Sequence, residues 1–553
     1  MRPPACGPGR VCEWGAPAGA WRCPVSSKKP IIATLFQVFQ EATLASLSTS
    51  LAKVGGNTFL SRISGFVRDL VLAHIFGANA LTDAFFVAFR IPNFFRRLFA
   101  EGAFAAAFVP VLTEYKTKRS FGELRLFVDH VSGTLAGVLL AITMLGVLTA
   151  PFVVTIFAPG FWGDAGKLQL TAEMLRLTFP YLLFISLTAF TGGILNTFGR
   201  FGVPAFTPVL LNLSLIAAAL WLTPWMAEPI TALAWGVLLA GIVQYLFQQP
   251  FLRSIRLVPR LRWGFRDEGV RRILKLMMPA LFGASVTQLN LLLDTLIASF
   301  LVSGSISWLY YSDRLVEFPV GILGVALGTV ILPSLSHKHA TESPEEFSRT
   351  LDWALRWVLL LGVPAAVGLL LLAGPMIATL FQSRVFDAND VAMSQRSLMA
   401  YSFGLVPFIA IKVLAPGYYA RQDTRTPVRF AVVAMLTNMG LNLILVFPLA
   451  HAGLALATSL AAWLNASLLF RGLRRREVYR PQSGWGSLLL RALIACAVMG
   501  GVLWLGGDGL AGWLQLGRWE RAAYLVGWIL AGAAAYFASL LALGIRLRHF
   551  RHG

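Results

Sequence analysis

From about Leu51 to the C-terminus, long apolar runs alternate with short polar breaks. Fourteen runs can be delimited, at about 50–76, 80–114, 126–156, 171–198, 204–224, 229–252, 270–302, 305–335, 350–380, 394–420, 427–448, 452–472, 485–506 and 520–545. A helix of about 20 apolar residues crosses a hydrocarbon core of about 30 Å, and each run reaches that length. The pattern predicts an all-α, polytopic membrane protein of about fourteen transmembrane helices. Composition agrees, because 57% of residues are hydrophobic and only 13% are charged, against about 25% charged in soluble domains.

Charge in the breaks tests the count. Breaks after even-numbered runs carry Lys116, Lys118, Arg119 and Arg125, then Arg200, then Arg253, Arg256, Arg260, Arg262 and Arg266. Later ones carry Lys338, Arg421 and Arg425, and Arg474, Arg475, Arg476 and Arg480, and the tail adds Arg546, Arg548 and Arg551. Breaks after odd-numbered runs carry chiefly Lys167, Arg384 and Arg518. Basic loops mark the cytoplasmic side, so both termini are expected there. The net charge of +21 is then a topology signal, and nucleic acid is not an expected partner.

The runs also repeat. Ala150 to Phe157 (APFVVTIF) resembles Gly374 to Phe381 (GPMIATLF), and Phe108 to Leu112 (FVPVL) resembles Ile331 to Leu335 (ILPSL). Pro204 and Pro427 open corresponding runs, and all three matches share an offset of 223–224 residues. Six runs per copy is an even number, so both copies run the same way. This predicts two parallel six-helix lobes with two further helices outside the repeat. The divisions are an N-terminal extension at 1–45, an N-lobe at 46–253, a basic cytoplasmic linker at 254–269, a C-lobe at 270–476, and the last two helices with a basic tail at 477–553. The extension is expected to be disordered, or an artefact of too early a start codon. Ile31 to Leu47 has the pattern of a short surface helix. Cys6, Cys12 and Cys23 lack the partners of a zinc site.

Charges inside the runs carry the chemistry. Arg62, Arg68 and Asp69 lie in the first run; Asp83, Arg90, Arg96, Arg97 and Glu101 in the second; Asp294 in the seventh; Asp313, Arg314 and Glu317 in the eighth. A charge at bilayer depth costs about 2.5–3.5 kcal/mol on insertion scales and usually faces an internal pathway. Asp83, Arg90 and Arg97 are spaced by seven, with Glu101 four further on, so they share one helical face. Pro92 should kink that helix. Ion pairing that merely joins helices is the competing explanation: Arg97 can reach Glu101, Arg314 can reach Glu317, and Asp69 lies seven residues past Arg62. It accounts poorly for the excess of arginines, and adjacent Arg96 and Arg97 cannot share one acid. Arginine's planar fork suits phosphate. Several arginines in one cavity predict a cargo with a diphosphate or similar head group on a long apolar tail.

Ser61 to Asp69 (SRISGFVRD), Thr82 to Asn93 (TDAFFVAFRIPN), Arg96 to Phe104 (RRLFAEGAF), Tyr311 to Pro319 (YSDRLVEFP) and Ala415 to Asp423 (APGYYARQD) resemble the bacterial MurJ (MviN) lipid II flippases. The resemblance runs from about Leu51 to the C-terminus. It implies a fold of the multidrug/oligosaccharidyl-lipid/polysaccharide exporter type. It implies transport of lipid II, the undecaprenyl-diphosphate-linked peptidoglycan precursor, from inner to outer leaflet of the cytoplasmic membrane. It implies cavity roles for Arg62, Arg68, Arg96, Arg314 and Asp83, and a tail groove on the last two helices. Arg97, Glu101, Asp313 and Glu317 join the expected substrate-binding set from their placement alone.

No cofactor is expected, and neither is an enzyme: there is no P-loop, and no paired carboxylates stand in a sizeable external loop. A cationic-drug antiporter would call for an acidic cavity. The closest alternative is an exporter of another polyprenyl-diphosphate-linked glycan. Expected partners are lipid II, membrane lipids and the cell-wall synthesis machinery. Coupling to sodium, protons or membrane potential is expected at Asp294, the most isolated acid within the runs, where Thr437, Asn438 and Asn442 could add ligand oxygens for a monovalent cation.

Overall fold

The computed structural model describes residues 13–15, 20–22, 55–97, 104–341, 343–505 and 509–545, apart from the side chains of 13–15, 20–22, 279, 280, 282–287, 325 and 329. Glu101 and the segment Ile31 to Leu47 lie outside the described residues. Two units are distinguished, Met1–Asn57 and Thr58–Gly553. In the first, strands β1 (Glu13–Gly15) and β2 (Ala20–Arg22) pair antiparallel, with Trp14 opposite Trp21.

The second unit is helical. The N-lobe comprises α1 (55–76), α2 (Ala80–Phe95), α3 (Ala105–Lys118), α4 (Phe121–Leu148), α5 (Ala150–Phe157), α6 (Ala165–Thr178), α7 (Tyr181–Thr197), α8 (Gly202–Ala217) and α9 (Thr231–Ser254). The C-lobe comprises α10 (Glu268–Ala298), α11 (Ser305–Pro319), α12 (Val325–Ala340), α13 (Pro344–Trp357), α14 (Val363–Leu371), α15 (Ala373–Phe381), α16 (Ala388–Ser402), α17 (Leu405–Tyr419) and α18 (Arg425–Arg475). Then come α19 (Trp485–Leu505), a short α20 (Gly509–Gln515) and α21 (Arg518–Ala542).

Ten of the described helical stretches are long and apolar enough to cross a membrane. One of them, α18, bends sharply at Ala450 (φ 49°, ψ −129°) and forms two spans. Leu445's carbonyl would lie 2.2 Å from a Cβ at Gly453, so only glycine lets the two arms approach. The remaining spans are α1, α2–α3 and α10. Fourteen spans result, at the places the hydropathy pattern predicts, and many are built from two consecutive helices joined at a kink.

Local signals set the helix ends. Asn79 caps α2 by accepting from the backbone N–H of Leu81 and Thr82. Ser120 and Glu123 form a capping box at α4, as do Asp387 and Asp390 at α16. Arg96–Arg97 in span two and Val320–Gly324 in span eight are both π-helical. Arg97 and Val320 differ by 223 residues, which is the repeat offset. Both lobes therefore loosen the same helix at the same place. Such π turns commonly accompany functional sites. In the loop after α17, the Asp423 carboxyl is held down at about 2, mainly by the Thr426 hydroxyl, with the Arg476 guanidinium 2.6 Å away.

Candidate functional site: an arginine-lined cavity between the lobes

Spans one, two, seven and eight converge on a cavity of about 200 Å³ lined by Arg68, Arg90, Arg96, Arg97 and Arg314, with Asp313 and Glu317 as its acids. Phe86, Phe89, Phe94 and Tyr310 supply its aromatic wall. The Phe86 and Tyr310 rings stack across the lobe boundary at 4.0 Å between centroids. Arg90 and Arg314 differ by 224 residues, so the repeat places one arginine on each side of the cavity.

Behind this surface lies a buried junction centred on Asp69. Arg68 donates to Asp69 Oδ1 through Nε (2.9 Å) and Nη2 (2.6 Å), and to Asn212 Oδ1 through Nη1 (3.0 Å). The Tyr310 hydroxyl donates to Asp69 Oδ1 at 2.9 Å. Arg314 Nε stands 3.2 Å from Asp69 Oδ2, and its Nη1 bonds Glu317 at 2.6 Å. One carboxylate thus holds an arginine from each lobe. Asp69 therefore pairs with Arg68 and Arg314 rather than with Arg62, because its side chain points to the lobe boundary. Two cations share this one buried acid, and the Arg314 side chain stays about one-third exposed to the cavity. That leaves cationic capacity for an anionic cargo.

The other expected residues separate. Arg62 does not line this cavity. Its guanidinium lies against Gly321 in the π turn of span eight, where an added Cβ would be 1.5 Å from Nη1. Because that atom ends a flexible side chain, Gly321→Ala should fold normally and swing Arg62 aside. A transport loss of several-fold, approaching that of Arg62→Ala at equal membrane abundance, is expected. Wild-type transport would exclude Arg62 from the cargo path.

Asp83 is fully buried at the opposite end of α2 from Arg96. It accepts hydrogen bonds from Gly304 N (2.7 Å), Ser307 N (2.9 Å) and Ser307 Oγ (2.7 Å), at the start of α11, and Lys167 Nζ is 3.5 Å away. It binds the start of one lobe's helix to the start of the other's. Gly304 has φ 99°, which favours glycine.

Asp294 meets the residues expected around it, except one. Asn438 and Asn442 donate to its Oδ1 at 3.1 and 2.6 Å, and Asn290 stands 3.5 Å from Oδ2. Thr437 instead bonds its own helix at Val433 O. The Oδ1 atoms of Asn438 and Asn442 are buried without a hydrogen bond.

Sequence reasoning missed the parts played by Asn212, Tyr310 and Lys167. Lys167 reads as a loop residue, Asn212 stands alone in an apolar run, and Tyr310 lies one turn before Arg314. Asp69's position beside Arg68 was the available signal.

A two-lobed, repeat-built membrane carrier with an arginine-lined cavity is the class these features define. A family model described as Lipid II flippase MurJ matches residues 72–514. The chain is 48% identical over 505 residues to the probable lipid II flippase MurJ of Haemophilus influenzae, covering 89% of this chain and 99% of that protein. It is 49% identical to the Vibrio cholerae counterpart, with 90% and 96% covered, and 42% identical to the Burkholderia cenocepacia lipid II flippase MurJ, with 91% and 99% covered. A solved lipid II flippase MurJ in an inward closed conformation matches with TM-score 0.74 at 27% identity, covering 88% of this chain and 99% of that one. An inward-facing multidrug transporter of the MATE family shares the fold, with TM-score 0.62 at 14% identity over 75% of this chain and 94% of that one. The chain belongs to the MurJ family, which comprises transporters rather than enzymes.

Proposed function

We propose that the chain moves lipid II from the inner to the outer leaflet of a bacterial cytoplasmic membrane by alternating access. The observation that carries this reading is the cavity with five arginines and two acids, in a chain whose relatives are named for that cargo. Bidentate arginine contacts recognise the diphosphate, which is common to all polyprenyl-diphosphate glycans. The relatives' names favour lipid II over another such glycan. Basic loops support a cytoplasmic position for both termini; on that orientation the beginnings of α2 and α11, with Asp83 between them, lie at the outer face. With Asp83 bridging the lobes there, the outer side is shut and cargo enters from within. In cells whose own flippase is depleted, the chain should restore growth, and accumulation of inner-leaflet lipid II with lysis would refute the reading.

Energy enters, in this reading, at Asp294. Rotation of the Asn438 and Asn442 amides would turn their unpartnered oxygens toward the carboxylate, forming an oxygen site for a hard monovalent cation. Occupation would favour one lobe arrangement and reset the carrier. Asp294→Asn should slow turnover about tenfold or more while leaving lipid II binding within about twofold. Equal transport by the variant and wild type across imposed sodium and proton gradients would remove Asp294 from the coupling.

A further inference from the structure

The linker between the lobes lies along α4. Asp129 Oδ1 accepts from Arg260 N at 2.8 Å, and its Oδ2 is 3.9 Å from Arg262 Nε. Gly264 N donates to Thr134 Oγ1 at 3.2 Å, and His130 Nδ1 meets Asp267 at 3.0 Å. A Cβ on Gly133 would stand 2.1 Å from the Arg262 carbonyl oxygen, and one on Gly137 would stand 2.5 Å from the Trp263 ring. Small residues on α4 therefore admit the linker. Within it, Leu261, Trp263 and Phe265 alternate with Arg260, Arg262 and Arg266. Leu261 and Trp263 are 70% and 67% exposed, and the Trp263 and Phe265 rings stack at 6.3 Å.

Depth follows from helix geometry. Gly137 precedes the end of α5 at Phe157 by twenty residues, spread over the end of α4 and the whole of α5, which is at most about 30 Å of helix and comparable to the hydrocarbon thickness. Exposed Trp162 stands just past that end, and exposed Trp263 stands beside Gly137. Tryptophans collect at both membrane interfaces. On the orientation proposed above, Trp263 lies at the inner-leaflet interface.

Beside the linker, α4, α7 and α10 enclose a cavity of about 320 Å³ lined by apolar side chains apart from Thr134 and Ser186. Arg271 and Lys275 sit one turn before the wall residues Leu274 and Met278 on α10. Among the described residues, Arg266, Arg271 and Lys275 have no ion-pair partner, whereas Asp129 is paired with Arg262 and Asp267 with His130. Glu268 is the remaining acid of this stretch.

We propose that this groove and its basic rim form a binding site for one anionic phospholipid of the inner leaflet, with an acyl chain in the groove and the phosphate on Arg266, Arg271 and Lys275. The groove is apolar where an acyl chain runs, and its rim is cationic at the depth of the head group; a zwitterionic lipid would satisfy only the first. α4 and α7 belong to the N-lobe and α10 to the C-lobe, so the lipid bridges the two bodies that move.

The test needs no transport, so it stands or falls apart from the flippase reading. The full chain is purified from nanodiscs holding equal phosphatidylglycerol and phosphatidylcholine, and retained lipids are counted by native mass spectrometry. Wild type should retain one phosphatidylglycerol in about tenfold preference. Arg266→Gln/Arg271→Gln/Lys275→Gln, wholly at the surface, should abolish the preference, and Leu135→Trp should abolish retention. Unchanged preference in the rim variant, equal retention of both lipids by wild type, or displacement of the lipid by undecaprenyl phosphate would each overturn the proposal.

Discussion

Arg314→Ala should slow lipid II transport about 10- to 100-fold while leaving the protein at near-normal abundance in the membrane. Arg314 reaches into the cavity from span eight, and its side chain is the partly exposed member of the buried junction. Removing it leaves Asp69 still bonded to Arg68 and the Tyr310 hydroxyl, so no naked carboxylate is created and folding survives. The cargo loses a charge-assisted contact worth about 1.5–3 kcal/mol, which corresponds to about 10- to 100-fold in transport. Arg314→Lys should recover only part of this, since an ammonium cannot make the two-pronged contact. Arg68→Ala should behave differently: it strips Asp69 of its strongest partner, and breaking a buried pair costs about 3–5 kcal/mol. Reduced membrane abundance is expected there along with lost transport. Growth rate under depletion and immunoblotting of membranes distinguish the two. Full growth on Arg314→Ala would place the cargo elsewhere.

Asp83→Asn should open the outer side. The aspartate binds the start of α11 across the lobe boundary through three hydrogen bonds and is paired with Lys167 of its own lobe. An amide of the same shape loses the charge and presents an NH₂ group to donors. With each bond to a charged group worth about 1.5–3 kcal/mol, a loss of about 3 kcal/mol shifts the closed-to-open ratio by about 100-fold. Spin labels at exposed Leu81 and Val302, flanking the contact, should report longer and broader distances in the variant, and transport should fail for want of a closed outer side. Conversely, a disulfide that locks the outer ends of spans two and eight should trap the inward-open form and stop growth. An unchanged distance distribution in Asp83→Asn would show that this contact does not govern the outer side.

The fold was legible because a bilayer imposes one rule on every span: apolar length. The repeat was legible because Pro204 and Pro427, and the two octamers, kept their spacing through divergence. Kinks were less so. Pro92 signalled a bend, but the paired π turns at Arg96–Arg97 and Val320–Gly324 have no sequence signature. Of the candidate site, the identity of the charged residues was legible and their partition was not. Arg68, Arg96, Arg97, Asp313, Arg314 and Glu317 come together at one cavity, whereas Asp83 and Arg62 are held at other places along the lobe boundary. Helical periodicity gives the face a residue occupies. It does not give depth relative to another helix, and depth is what separates a cargo contact from an outer bridge. Asn438 and Asn442 were placed correctly beside Asp294 because the shared face of α18 and the isolation of one acid left few partners.

Lipid II is expected to pass through the arginine cavity. The most direct test of that passage is translocation by the purified chain in proteoliposomes, with fluorescent lipid II and a membrane-impermeant reductant that reaches one leaflet. Wild type should expose the inner pool to the reductant within minutes, and Arg314→Ala, inserted equally well, should leave that pool protected. Exposure at the wild-type rate by Arg314→Ala, or no exposure by wild type, would contradict it.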